Sequence, residues 1–383
     1  MLVIRTTRYG MPALVFVLAT FIDVPAIAQT AAPAPTSSTP RFFQNIQFGG
    51  LADAYYHYNS NEVEGDAPFR NFDTRHNKAR FSMAQLWATK IPTVDSRVGF
   101  SAKLNAGHAA DMIHAVEPSS LAVFDKTGGA AIQQAYVSYL APVGTGLQID
   151  AGKYVTQHGA EVIEAKDNWN YSRSLLFALA IPYYHTGVRA TYAVNDKVSF
   201  MGTVVNGWNN LEDNNGAKTF GGMVIVKPVP QLSIIQNYMV GAEQADNDDD
   251  VRHLFDTTAI LTATPTLSVM ANYDYGKDSL AGTGVSWQGL AGYLKVQATP
   301  WLAVSPRIEW FDDPDGFMTG TGQTLKDATL TGEVKLLEGL FWRVEYRRDW
   351  SDSAVFTQKS GAAIDAQNTF GMGFLYSYSF TTK

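Results

Sequence analysis

The sequence predicts an all-β protein, a closed antiparallel transmembrane β-barrel of about 16 strands with short periplasmic turns and long extracellular loops. Three observations carry the prediction. Apolar and polar residues alternate with a period of two in segment after segment beyond residue 41. The connections between these segments alternate short and long, and an export signal opens the chain. Composition agrees: only 17% of the 383 residues are charged and 12% are aromatic, against about a quarter charged in ordinary soluble domains.

The same arithmetic excludes other classes. The longest near-continuous apolar run, 11–22, is too short for a spanning helix of about 20 residues, which rules out a polytopic helical membrane protein. A net charge of −7 leaves no basic stripe for nucleic acid. The absence of cysteine excludes a disulfide scaffold and a thiolate metal site.

Taken in order, residues 1–28 read as a signal peptide: Arg5 and Arg8, the apolar core 11–22, then Ala26-Ile27-Ala28 for cleavage. Residues 29–43 read as a linker rich in Pro, Ala, Ser and Thr, and 44–380 as the barrel. Within the barrel, Ala328, Leu330, Gly332, Val334 and Leu336 point one way, while Thr329, Thr331, Glu333 and Lys335 point the other. Trp342, Val344 and Tyr346 likewise oppose Arg343, Glu345, Arg347 and Asp349. A soluble sandwich shows the same period, with an apolar core and a wet outer face. The connections decide between them. Short turns at 92–96, 142–146, 195–197, 228–231, 264–266, 299–301 and 337–339 alternate with long loops at 59–76, 108–130, 157–178, 208–218, 244–251, 277–285, 312–324 and 351–367. Fifteen connections give sixteen strands, an even count that leaves both ends on one side.

The final segment places Phe370, Met372, Phe374, Tyr376, Tyr378 and Phe380 on one face. It resembles the signal read by the barrel assembly machinery, with Phe380 as the operative terminal aromatic and 381–383 expected to be dispensable. Trp87, Trp208, Trp287, Trp301, Trp310 and Trp342 lie near predicted strand ends, where interfacial girdles belong.

Several stretches also carry a family resemblance: FGGLADAYY at 48–56, RNFD at 70–73, QAYV at 134–137, DAGK at 150–153, NWNYSRSLLF at 168–177, PYYHTG at 182–187, VVNGWN at 204–209 and RVEYR at 343–347. In this order they resemble the OmpL-like beta-barrel porin family (the porin-2 group), over essentially the whole chain from about residue 44. The resemblance implies an outer-membrane porin of the bacterial cell and leaves the permeant undefined.

The residues themselves point to a pore. HExxH, GxSxG and Walker-type motifs are missing, so no catalytic residue, metal ligand or cofactor is expected. The acidic run 246–250 reads as a solvated loop tip, and 312–316 as a turn. By parity, Arg97, Lys103, Arg189, Lys295, Arg307, Lys335, Arg343 and Arg347 face inward, as do Asp150, Asp274, Glu309, Glu333, Glu345 and Asp349. Charge is costly on the lipid face and acceptable in a wet lumen. Lys153 falls outward by parity and needs a bulge or a snorkelling position.

The third long loop, 157–178, is expected to fold inward and constrict the channel, by analogy with general porins of sixteen strands. Its rim would carry Glu161, Glu164, Asp167 and Arg173, with Asn168, Asn170 and Tyr171 as fixed hydrogen-bonding groups. Leu175, Leu176 and Phe177 would anchor it to the wall. Small polar solutes, outer-membrane lipid and the assembly machinery are the expected partners, with a homotrimer as the assembly and nucleic acid excluded. The alternative is a plugged barrel that binds an extracellular partner, as an adhesion protein does, through its long loops.

Overall fold

A computed structural model describes residues 41–115, 117 and 131–383. The signal peptide and nearly all of the linker lie outside the described residues. The strands are β1 (Ile46–Asn59), β2 (Lys78–Lys90), β3 (Val98–Ala106), β4 (Ala131–Ala141), β5 (Leu147–Val155), β6 (Tyr184–Ala193), β7 (Val198–Val205) and β8 (Thr219–Val229). They continue as β9 (Leu232–Ala242), β10 (Val251–Thr264), β11 (Leu267–Leu280), β12 (Thr283–Thr299), β13 (Leu302–Asp313), β14 (Gln323–Leu337) and β15 (Leu340–Ser351). A two-stranded hairpin, β16 (Phe356–Thr357) and β17 (Ala363–Ile364), sits in the last long loop, and β18 (Ala366–Thr381) ends the chain.

Apart from that hairpin, each strand pairs antiparallel with its sequence neighbours, and β1 pairs with β18 to close a sixteen-stranded barrel. Closure satisfies every strand edge, a requirement inside lipid. The alternation explains which face goes where. Leu330, Val344, Phe370, Phe374 and Phe380 are exposed on the outside, while Thr329, Thr331, Arg343 and Arg347 are buried inside. Polar groups therefore point into the lumen and apolar groups toward acyl chains.

Four expectations need correction. The segment 277–285 is not a long loop: β11 and β12 run on to a two-residue turn at Ala281 (φ 51°) and Gly282 (φ 81°). Positive φ at both central residues matches the right-handed twist of a tight hairpin, so pairing continues to the tip. Trp87 and Trp287 face inward rather than joining a girdle, and Trp208 stacks edge-on against Trp287 in the mouth; Trp301 is exposed as a girdle requires. The tail, whose deletion the sequence reading expects to be tolerated, is paired in the barrel. Thr381 pairs with Gln47, Thr382 N donates to Ile46 O at 2.9 Å, and Asn45 N donates to Thr382 O at 3.0 Å.

Lys153 is the fourth. It remains on the outward register, yet it is buried, because His114 and Glu117 of the second long loop lie against it. That loop begins with helix α1 (His108–Ile113) and brings Glu117 within 2.5 Å of the ammonium, which also donates to Ile132 O and lies 4.1 Å from the Tyr184 ring centroid.

Candidate functional site

The connection from β5 to β6, residues 156–183, enters the barrel and lies against its inner wall. Nearly all of it is buried. Its own side chains set its shape. The Asn168 side chain pairs with the backbone of Val162, accepting from its N–H at 2.9 Å and donating to its carbonyl at 2.7 Å. Arg173 donates to the carbonyls of Val162, Ile163 and Tyr171. A 3-10 turn at Ala165–Asp167 and a π-helical turn at Leu176–Ala180 bracket this knot.

The wall then grips the knot by its main chain. Arg343 on β15 donates to three loop carbonyls, Ala165 (2.6 Å), Asn168 (2.7 Å) and Asn170 (3.0 Å). Arg347 donates to Arg173 O at 2.6 Å, and Arg307 on β13 to Ser172 O at 2.7 Å. In the opposite sense, Glu345 accepts from Tyr171 N (2.7 Å) and Ser172 N (3.1 Å), and Glu309 accepts from Leu175 N (2.7 Å). Asn170 Nδ2 donates to Ser305 O and to Thr331 Oγ1. Charge-assisted bonds of this kind are roughly twice as strong as neutral ones.

The gripping charges also balance one another. Arg307 meets Glu309 (2.8 Å), Asp327 (3.2 Å) and Glu161 of the loop (3.0 Å). Arg347 meets Asp327 (2.7 Å) and Asp349 (2.6 Å), and Arg343 meets Glu333 (2.5 Å). Thus the inward parity holds for Arg307, Glu309, Glu333, Arg343, Glu345 and Arg347, but most of this ladder is covered by the loop rather than open to the lumen.

The loop also reaches the far wall. Glu164 accepts from Gln85 Nε2 (2.8 Å) on β2, Lys103 Nζ (3.2 Å) on β3 and Gln133 Nε2 (3.2 Å) on β4. Burial opposes its ionisation, but Lys103, Gln85 and Lys166 prevail and hold its carboxyl down at about 2. Tyr171 donates to Asp53 Oδ1 at 2.8 Å, and burial together with that carboxyl pushes the phenol well above its ordinary range. The apolar anchor is in place: Leu175, Leu176 and Phe177 are buried. Two glycines make room. A Cβ on Gly373 would stand 2.3 Å from the Tyr171 ring, and one on Gly289 would stand 2.8 Å from Leu176 Cδ1.

Of the loop residues expected at the rim, Glu161, Glu164, Asn168, Asn170, Tyr171 and Arg173 are turned to the wall or into the loop itself. Asp167, half-exposed beside Lys166 at 2.7 Å, keeps a water-facing position. Arg189 binds Asp150 at 2.9 Å on the opposite wall, Lys295 lies 3.8 Å from Glu333, and Lys335 is exposed at the periplasmic end. Arg97 donates to Leu140 O near the first short turn. The sequence reading passed over Asp53, Asp256 and Asp327, although each shares the inward parity of its strand; Asp327 bridges two of the three arginines.

A sixteen-stranded barrel with an apolar outer belt, a charged inner wall and an inward-folded third loop is an outer-membrane porin. The chain belongs to the family described as Putative beta-barrel porin-2, OmpL-like, which it matches over residues 45–378. No curated protein matches it. Solved structures share the fold at low identity. They include an anion-selective porin from Comamonas acidovorans (10% identity, TM-score 0.59, 88% of this chain and 100% of that one). OmpT of Vibrio cholerae is 13% identical, with TM-score 0.59 over 87% of this chain and 97% of that one. The outer membrane channel DcaP of Acinetobacter baumannii is 11% identical, with TM-score 0.58 over 88% and 99%. Vibrio cholerae OmpT also has a trimer form.

Proposed function

We propose that small hydrophilic solutes cross this porin through the lumen left beside the inward loop, with a preference for anions. One observation carries the reading. In three ion pairs that keep contact with the lumen, those of Lys103, Arg189 and Lys295, the cation is the more exposed partner, whereas in Arg343–Glu333 the carboxylate is. Side-chain exposure is 20% for Lys103 against 6% for Glu164, 12% for Arg189 against 2% for Asp150, and 27% for Lys295 against 16% for Glu333. At Lys103 and Arg189 a permeant therefore meets the cation while its carboxylate is shielded behind it. Rings of exposed basic side chains select anions in water-filled pores.

Reversal potentials of single channels in a KCl gradient test this. Wild type should favour chloride, and Arg189→Gln with Lys103→Gln should shift selectivity toward potassium. A wild-type channel that favours potassium would overturn the anion reading. A protein with no conductance at all would instead favour the plugged, adhesive barrel, for which the extensive contact of the loop with both walls is the supporting observation. Outer-membrane lipid on the apolar belt, the assembly machinery at β18 and a homotrimer complete the proposal. Migration of the unheated protein in a denaturing gel checks the assembly.

A further inference from the structure

One group of charges stands apart from the rest of the wall. Asp256 on β10 and Asp274 on β11 are cross-strand partners facing the lumen, and both are fully buried. Asp327, Glu309 and Asp349 each lie against a guanidinium. Asp256 and Asp274 are met by each other and by amides instead. Asn237 Nδ2 donates to Asp256 Oδ1 at 2.5 Å, and Asn272 Nδ2 donates to Asp256 Oδ2 at 2.7 Å and lies 3.5 Å from Asp274 Oδ1. Among the described residues, neither carboxyl forms a salt bridge, and the groups acting on them are one another, amides and backbone. Two apposed carboxyls in a buried site are costly unless a positive charge joins them.

Oxygens on the same inward faces of β9–β11 lack a partner. Asp274 Oδ2, Asn237 Oδ1 and Thr258 Oγ1 are buried and form no hydrogen bond. Asn237, Asp256 and Asp274 form one row across β9, β10 and β11, and Thr258 is the next inward position on β10. Buried polar atoms are satisfied in the great majority of cases, so three orphans, one of them on the carboxyl pair itself, call for a ligand. No group of three or more His, Cys, Asp or Glu suited to a metal occurs among the described residues; the donor set here is two carboxylates completed by an amide and a hydroxyl.

We propose that Asp256, Asp274, Asn237 and Thr258 form a binding site for one hard divalent cation. Oxygen-only donors suit Ca2+ or Mg2+ rather than a thiophilic or imidazole-seeking metal. Calcium fits better, because it accepts irregular coordination by six to eight oxygens at about 2.3–2.6 Å whereas magnesium demands a near-ideal octahedron. The site is tied to the inward loop. Ala160 N donates to Asn272 Oδ1 at 3.2 Å. A bound cation therefore fixes the root of the loop as the arginines fix its tip.

Calorimetric titration of CaCl2 into the folded, EDTA-stripped barrel in detergent tests the site. Wild type should bind one ion per chain, and its thermal unfolding midpoint should be higher in calcium than in EDTA. Asp274→Asn should abolish both effects, Thr258→Val should weaken binding severalfold, and Asp196→Asn in an exposed turn should leave both intact. Thr258→Val keeps the test decisive if Asp274→Asn fails to fold. Absence of saturable binding in wild type, or binding indifferent to Asp274→Asn and Thr258→Val, overturns the proposal. So does an Asp274→Asn barrel that is more stable than wild type when both are in millimolar calcium, the outcome expected of a proton shared between the carboxyls.

Discussion

The inner faces of β13–β15 and of β9–β11 hold one loop by different means. Charged groups dominate on the first, and apolar packing, beside the bond from Ala160 N to Asn272 Oδ1, on the second. On β13–β15 the contacts are arginines and carboxylates bonded to loop carbonyls and N–H groups. On β9–β11 the buried inward residues Met239, Leu254, Ile260 and Met270 belong to the apolar cluster that contains Ala160, Ile163 and Ile181 of the loop. Directional bonds fix position along the wall. Dispersion and burial fix only proximity, and methionine in particular adapts to irregular neighbours. The difference teaches that the charged wall sets where the loop sits, while the apolar wall sets how firmly its root is pressed.

Arg307→Ala should break this comparison most severely. It leaves Glu161, Glu309 and Asp327 without their shared guanidinium, and removing one partner of a buried ion pair costs about 3–5 kcal/mol. Thermal unfolding of the folded barrel should show a loss larger than that of any single apolar truncation. Leu254→Ala comes next, at about 3 kcal/mol from lost burial and the cavity left behind. It should leave conductance nearly unchanged, whereas Arg307→Ala should alter it; a Leu254→Ala channel as altered as the Arg307→Ala channel would erase the distinction between the walls.

Gly373→Val sharpens the comparison without touching a charge. Its Cβ would stand 2.3 Å from the Tyr171 ring, and overpacking of this kind costs about 1–3 kcal/mol. The loop should lift from the wall, and single-channel conductance should rise. The smallest effect concerns pH. Glu164 sits at about 2, below the ordinary 4.5, so its tether is complete above 4.5 and is lost as pH falls through 2. Conductance attributable to the loop should stay flat from pH 7 to 5 and change only in strong acid, and Glu164→Gln should remove that acid step.

How much of this was legible in the sequence follows from what carries the information. Period-two alternation placed Leu330 outside and Thr331 inside, because side-chain direction in a strand depends on parity alone. Loop 157–178 announced itself by its length and by Leu175-Leu176-Phe177. The partners of Arg307, Arg343 and Arg347 were not legible, because they include main-chain carbonyls, which have no letter of their own. The hairpin at Ala281-Gly282 was missed for a related reason: polar residues such as Lys277, Asp278 and Ser279 read as loop, yet above the bilayer a strand has no need of an apolar face.

Where the wall grips the loop through its backbone, that grip is indifferent to which side chains stand there. The carbonyls of 165, 168, 170, 172 and 173 and the N–H groups of 171, 172 and 175 would exist with almost any residue at those positions. Asp167, which projects away from the grip, is therefore open to replacement without loosening it. Such a barrel can exchange the solutes it admits by small steps in sequence, keeping its architecture while its diet changes.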